Sequence, residues 1–129
     1  PLRGHASRPA PRRAILPAML RPLLLAALLA GCAPTPNPYL AVERAPVPEG
    51  TRLRLVPAAG ARINAQQRPA LQRADSSVVL FDSPSLTTDS AYFTEPPEAL
   101  VTGPTAGRIV ASVCPSGEYV CRPVIFDIP

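Results

Sequence analysis

Three cysteines, at positions 32, 114 and 121, are the side chains of this 129-residue sequence best equipped for chemistry. Cys114 and Cys121 bracket the segment Pro115-Ser116-Gly117-Glu118-Tyr119-Val120, which is short enough to be one hairpin. A thiol pair so placed either staples the chain or exchanges electrons with another thiol pair. The rest of the catalytic repertoire is thin. The sequence has no Lys, and its one His is His5, so past the first residues a His general base, a Ser-His relay, a Schiff-base lysine and a His metal site have nothing to build on. The serines at 76, 77, 83, 85, 90, 112 and 116 have no activating base and read as turn and edge residues. Asp75, Asp82 and Asp89 recur beside turn residues and read as loop caps, since a spacing of seven does not resemble a calcium-binding EF-hand loop. Glu95 and Glu98 flank Pro96-Pro97 without any Trp in the chain to stack a sugar, and Tyr92 and Phe93 read as core. No cofactor and no metal site is expected.

Cys32 belongs to a different pattern. Leu23 to Ala30 is an uncharged apolar run, preceded by Arg21 and followed by Gly31-Cys32. Eight residues are too few to cross a bilayer, which takes about 20. A basic start, a short apolar stretch and small residues at the end make a secretory signal peptide over residues 1–31. The single Met, Met19, opens a compact version of the same leader, so the true start falls there on this reading. Leu29-Ala30-Gly31-Cys32 resembles the lipobox of bacterial lipoproteins. The resemblance implies cleavage before Cys32 and acylation of its thiol, and two or three acyl chains exceed what stable membrane anchoring requires. By the sorting rule of enteric bacteria, Ala33 rather than Asp after the lipidated cysteine implies the periplasmic face of the outer membrane rather than the inner membrane.

The elements that must carry these residues follow from composition. The formal charge of +4 is misleading: Arg3, Arg8, Arg12, Arg13 and Arg21 lie in the leader, and past it eight Arg face all nine acids. Without a basic patch, nucleic-acid binding loses its electrostatic basis. Nineteen prolines, about three times the average share, argue against helical bundles. Residues 33–50 hold five of them and read as a proline-rich tether behind the lipidated Cys32, able to extend roughly 50 Å at about 3.1 Å per residue. Alternatively, Tyr39 and Leu40 dock on the domain as a first edge strand. From Thr51 onward short alternating runs are broken by turn residues: Arg52–Leu55, Ser77–Phe81, Ala91–Phe93, Arg108–Val113 and Tyr119–Ile128. Ile109, Ala111 and Val113 share one face, as do Val120, Val124, Phe126 and Ile128. Six or seven short strands over residues 51–129 predict an all-β domain, a small sandwich or half-open barrel with a marginal core that benefits from a covalent staple.

In an exported, oxidising compartment the two remaining cysteines are expected to form a disulfide, Cys114–Cys121. A two-residue turn at Gly117-Glu118, with Gly117 at the position where a type II′ turn needs positive φ, places them opposite each other. Pro115 then falls where no ladder hydrogen bond is donated. Pro123 falls where one is required, so the ladder should end or bulge there.

The run Gly60, Ile63-Asn64, Pro69-Ala70-Leu71, Gly107, Ser112-Val113-Cys114 and Cys121-Arg122-Pro123-Val124 resembles the exported immunoglobulin-like domains related to the N-terminal domain of the thiol:disulfide interchange protein DsbD. The resemblance implies an immunoglobulin-like sandwich with a disulfide-linked C-terminal hairpin. In redox members of that family the pair takes electrons from a membrane partner and passes them to periplasmic thioredoxin-like proteins. Two functions are therefore expected to compete. One is a non-catalytic, lipid-anchored protein-interaction domain with an envelope partner. The other is a thiol-disulfide exchange module in which Cys114 and Cys121 serve a thioredoxin-like partner, with Arg122 favouring the thiolate of Cys121 and Glu118 opposing it.

Overall fold

The computed structural model describes residues 36–129, and these contain eight strands and no helix. The expected leader over residues 1–31, with Met19, and the expected lipidation site Cys32 lie outside the described residues. The strands are β1 (Leu40–Val47), β2 (Gly50–Pro57), β3 (Arg62–Ile63), β4 (Ala70–Arg73), β5 (Val78–Leu80), β6 (Glu98–Val101), β7 (Gly107–Cys114) and β8 (Arg122–Ile128). All pairings are antiparallel. The smaller sheet runs β1-β2-β6, and the larger one has β7 at its centre. One edge of β7 pairs with β8 along its length, and the other is shared by β3 and β4 placed end to end, with β5 outside β4.

The alternation read for β7 sets the core. Ile109, Ala111 and Val113 point inward, with Leu71 of β4 and Val124 and Ile128 of β8, and pack against Leu40, Leu53, Leu55, Ala99 and Val101 of the smaller sheet. Phe81 and Phe93 fill the middle. Val120 does not join this face: it precedes β8 and is exposed. Ala91–Phe93 is not a strand. It makes single bridges, Tyr92 to Asn64 and Phe93 to Leu86, because Pro96 and Pro97 soon turn the chain toward the smaller sheet. Gly107 starts β7 where β4 comes closest: a Cβ there would stand 2.5 Å from the Gln72 carbonyl oxygen.

The first strand lies inside the stretch read as a tether. β1 pairs with β2 at eight positions, from Leu40↔Pro57 to Val47↔Gly50, so the edge-strand alternative describes Leu40 and the domain starts some ten residues before Thr51. Pro48 sits in the turn. Pro46 is tolerated for a geometric reason: the Leu55 N–H donates to the Pro97 carbonyl (3.0 Å), so odd-numbered β2 residues direct their backbone groups toward β6. Thr51, opposite Pro46, therefore faces away from it, and the missing proline N–H lies on the open side of β1.

Pro123 is accommodated by the same backbone geometry. The ladder neither ends nor bulges there, since Ser112↔Pro123 and Val113↔Arg122 continue it. The Asn64 N–H donates to the Ser112 carbonyl (2.9 Å), which turns the Ser112 backbone toward β3. Ser112↔Pro123 is thus a non-hydrogen-bonded pair across β7–β8, and Pro123 needs no donor on that side. On the opposite flank the sheets are joined rather than open, because Asp82 and Glu98 exchange both backbone hydrogen bonds (2.9 and 2.8 Å).

Candidate functional site

Cys114 and Cys121 are bonded to each other. They extend the β7–β8 register by one position and occupy, like Ser112↔Pro123, a non-hydrogen-bonded pair, where side chains of facing strands come closest. Their Cα atoms are 4.0 Å apart, in keeping with that pairing. The turn differs from the expected one. The Glu118 N–H donates to the Pro115 carbonyl (3.3 Å), so Ser116 and Gly117 are the central residues. Gly117 (φ 77°) is the second of them, as in a type II turn. The register survives because Tyr119 and Val120 add to the far side of the loop what the earlier turn removes, and the parity this leaves is the one Pro123 requires.

Around the disulfide, Cys114 is buried and Cys121 half-buried. A depression of about 420 Å³ is lined by Gln67, Arg68, Pro123 and Cys121, and Cys114 is not among its walls. Arg122 does not offer it a free positive charge. Its Nε and Nη2 donate to the two Glu118 carboxylate oxygens (2.9 and 2.8 Å), and this hydrogen bonding, followed by the charge of Glu118, raises the pKa of the guanidinium. Nη1 lies 3.5 Å from the Tyr39 hydroxyl, and the guanidinium sits 5.8 Å from the Tyr39 ring centre. The positive charge of Arg122 is thus committed to Glu118 and is not free for its neighbour Cys121.

The other residues singled out in the sequence do local work. The Asp75 carboxylate accepts from the Ser77 N–H and hydroxyl, and that of Asp89 from the Thr87 hydroxyl and the Ala91 N–H. These bonds pull both pKa values below the usual carboxylate range, with the side-chain hydroxyl the largest cause. Asp82 accepts from the Ser83 N–H and is paired with Arg68. The Ser85 hydroxyl donates to Glu95 (3.0 Å), and Glu98 pairs with Arg52 and Arg54. Phe93 is buried, whereas Tyr92 is half-buried beneath the Arg62 guanidinium at 4.0 Å.

One surface feature arises only from strand register. On the outer face of the larger sheet, Leu80, Ala70, Val110 and Ile125 stand side by side in one register row across β5, β4, β7 and β8. At about 4.8 Å per strand the row is roughly 14 Å wide. Leu80 is 48% exposed and Ile125 57%, while Ala70 and Val110 are half-buried. Val78 (57%) extends the patch on one side and Pro123 on the other. The signal was present as consecutive apolar residues, Val78-Val79-Leu80 and Val124-Ile125-Phe126, where a strand wet on one face would alternate. The patch interrupts the polar surface with one ion pair at its border, Arg108–Asp127 (2.9 Å), across another non-hydrogen-bonded pair of β7–β8. No protein family, no curated protein and no solved structure matches this chain.

Proposed function

We propose that the chain is a lipid-anchored lipoprotein of the bacterial envelope, held at the periplasmic face of the outer membrane through Cys32, and that its β-sandwich binds an envelope protein and catalyses nothing. The leader and the lipobox-like Leu29-Ala30-Gly31-Cys32 support the anchor. The observation that carries the interaction reading is the contiguous apolar row Leu80-Ala70-Val110-Ile125 with the Arg108–Asp127 ion pair at its border, since an apolar patch with a polar border is what protein partners cover. In cells, a photo-crosslinking residue at Ile125 is expected to give one discrete protein adduct that Leu80→Asp abolishes, whereas the same probe at Glu43, on the other sheet, gives none. Equal labelling from both faces, or an adduct indifferent to Leu80→Asp, would overturn the interaction reading. A mature chain without acyl groups on Cys32 would overturn the anchor.

The second reading, thiol-disulfide exchange with a thioredoxin-like partner, is favoured by one observation, that the half-buried Cys121 and not the buried Cys114 lines a surface depression. The neutralised Arg122 favours a staple. Reduction potential separates the two. A value below about −300 mV, with unfolding on reduction, marks a staple; one near −200 mV, with the fold intact in both states, marks an exchanging pair.

A further inference from the structure

We propose that the tip of the disulfide hairpin, Tyr119 with Val120, inserts into the headgroup region of the bilayer that anchors the chain. The proposal rests on the reading of Cys32 as lipidated. Three observations carry it. Tyr119 is fully exposed and Val120 72% exposed, adjacent in sequence and outside the core. Their loop is held at its base by the Cys114–Cys121 bond, the Pro115 to Glu118 turn and the Glu118–Arg122 ion pair. A tip so constrained loses little conformational freedom on insertion. Its position is the third. The first strand enters the domain at the same end as the hairpin, since Tyr39 lies against Arg122.

Seven residues, 33–39, separate Cys32 from Leu40. At no more than about 3.6 Å per step, the eight steps from Cys32 to Leu40 reach roughly 29 Å, well short of what the longer tether would have allowed, so the end of the sandwich that carries the hairpin is held near the lipid. A Tyr ring suits the interface between headgroups and acyl chains, with its apolar body in and its hydroxyl wet, and Val120 adds apolar area beside it. The charges nearest to them, Glu118 and Arg122, neutralise each other and set up no repulsion from anionic lipid. The apolar row of the larger sheet lies elsewhere. Val78 is in register with Gln72 and Arg108, six residues along β7 from Cys114, about 20 Å away.

The test uses the absence of Trp from the chain. The mature lipoprotein beginning at Cys32, carrying Tyr119→Trp as its single indole, is reconstituted in vesicles of phosphatidylethanolamine and phosphatidylglycerol, and acylation of Cys32 is verified by mass. The expected result is a shift of Trp emission to shorter wavelength and quenching by brominated phospholipid, with neither seen for Val78→Trp. Four results would overturn the proposal. Unshifted, unquenched emission from an acylated Tyr119→Trp chain removes hairpin insertion and leaves the lipoprotein reading standing. Equal quenching at positions 119 and 78 removes the assigned orientation. A shift without lipid quenching places the tip against protein, a second copy of this chain being the only protein present, and removes insertion. A mass without acyl chains removes the lipoprotein reading and this proposal together. Because Tyr119 makes no packing contact in the core, the substitution is expected to leave the thermal midpoint unchanged.

Discussion

The outer surfaces of the two sheets differ in how their apolar side chains are grouped. On the smaller one, most positions facing away from the core at its centre are charged, Glu43, Arg52, Arg54 and Glu98, and interlock as ion pairs: Arg54 with Glu43 (3.6 Å) and with Glu98 (3.9 Å), and Arg52 with Glu98 (3.6 Å). Its one large exposed apolar side chain there, Leu100, stands alone opposite Arg52. On the larger one, the equivalent positions carry Leu80, Ala70, Val110 and Ile125. Both sheets bury one face against the same core, so the stability of the fold does not ask for the difference. An antiparallel sheet is free to leave its outer face wet, and the smaller sheet does so. The larger sheet keeps four apolar side chains in one contiguous row where water meets them, against a single Leu100 on the smaller one. Folding of the isolated domain gains little from them, and the difference points to a role outside the domain's own core.

The largest effect expected from breaking this comparison lies on β7, where inner and outer residues are neighbours. Ile109→Ala removes a fully buried side chain and should cost about 3 kcal/mol, whereas Val110→Ala, one residue on and facing outward, should cost under about 1 kcal/mol. Urea denaturation with an unchanged slope measures both, and equal losses would mean that the outer row is part of the core after all. A smaller effect sharpens the contrast between the sheets. Glu98→Gln opens the charged lattice and should cost less than about 1 kcal/mol at low salt and nothing measurable at 1 M salt. Leu80→Thr should show no such salt dependence.

The smallest effect concerns the ion pair at the border of the apolar row. The Arg108 hydrogen bond, and then its charge, hold the Asp127 carboxyl below the ordinary carboxylate pKa. The native state therefore binds fewer protons than the unfolded chain. Its contribution to stability is full above the unfolded carboxylate pKa, near 4, and fades as the pH falls through the lower native value. Asp127→Asn should flatten the acid limb of the denaturation midpoint slightly and leave neutral pH nearly unaffected. Asp75 and Asp89, shifted in the same direction, keep most of that limb in place.

The all-β class, the inward face of β7 and the pairing of Cys114 with Cys121 were legible in the sequence because each depends on local alternation or on cysteine arithmetic. β1 was not, because proline density points to an extended tether. Pro46 and Pro48 escape that rule only through the side of the strand and the turn they occupy. β3 and β4 are too short to show a period. They act as one strand broken by the excursion Ala65–Pro69, which the Asn64 side chain organises by accepting from the Gln66 and Gln67 N–H groups. β6 follows directly on Pro96 and Pro97, which mask it. The apolar row was hidden for a different reason: its four members come from four strands, and only the register brings them together.

Pro46 and Pro123 also govern how these molecules behave toward one another. An open strand edge is a template on which a second chain can continue the sheet, and growth of that kind turns a crowded population of β-domains into fibrils. Continuation requires a donor at each alternate residue. Each of the two strands that flank the open side has an N–H missing at one such residue, and the opposite flank is consumed by Asp82 and Glu98. Copies packed closely can therefore touch through side chains without polymerising through their backbones.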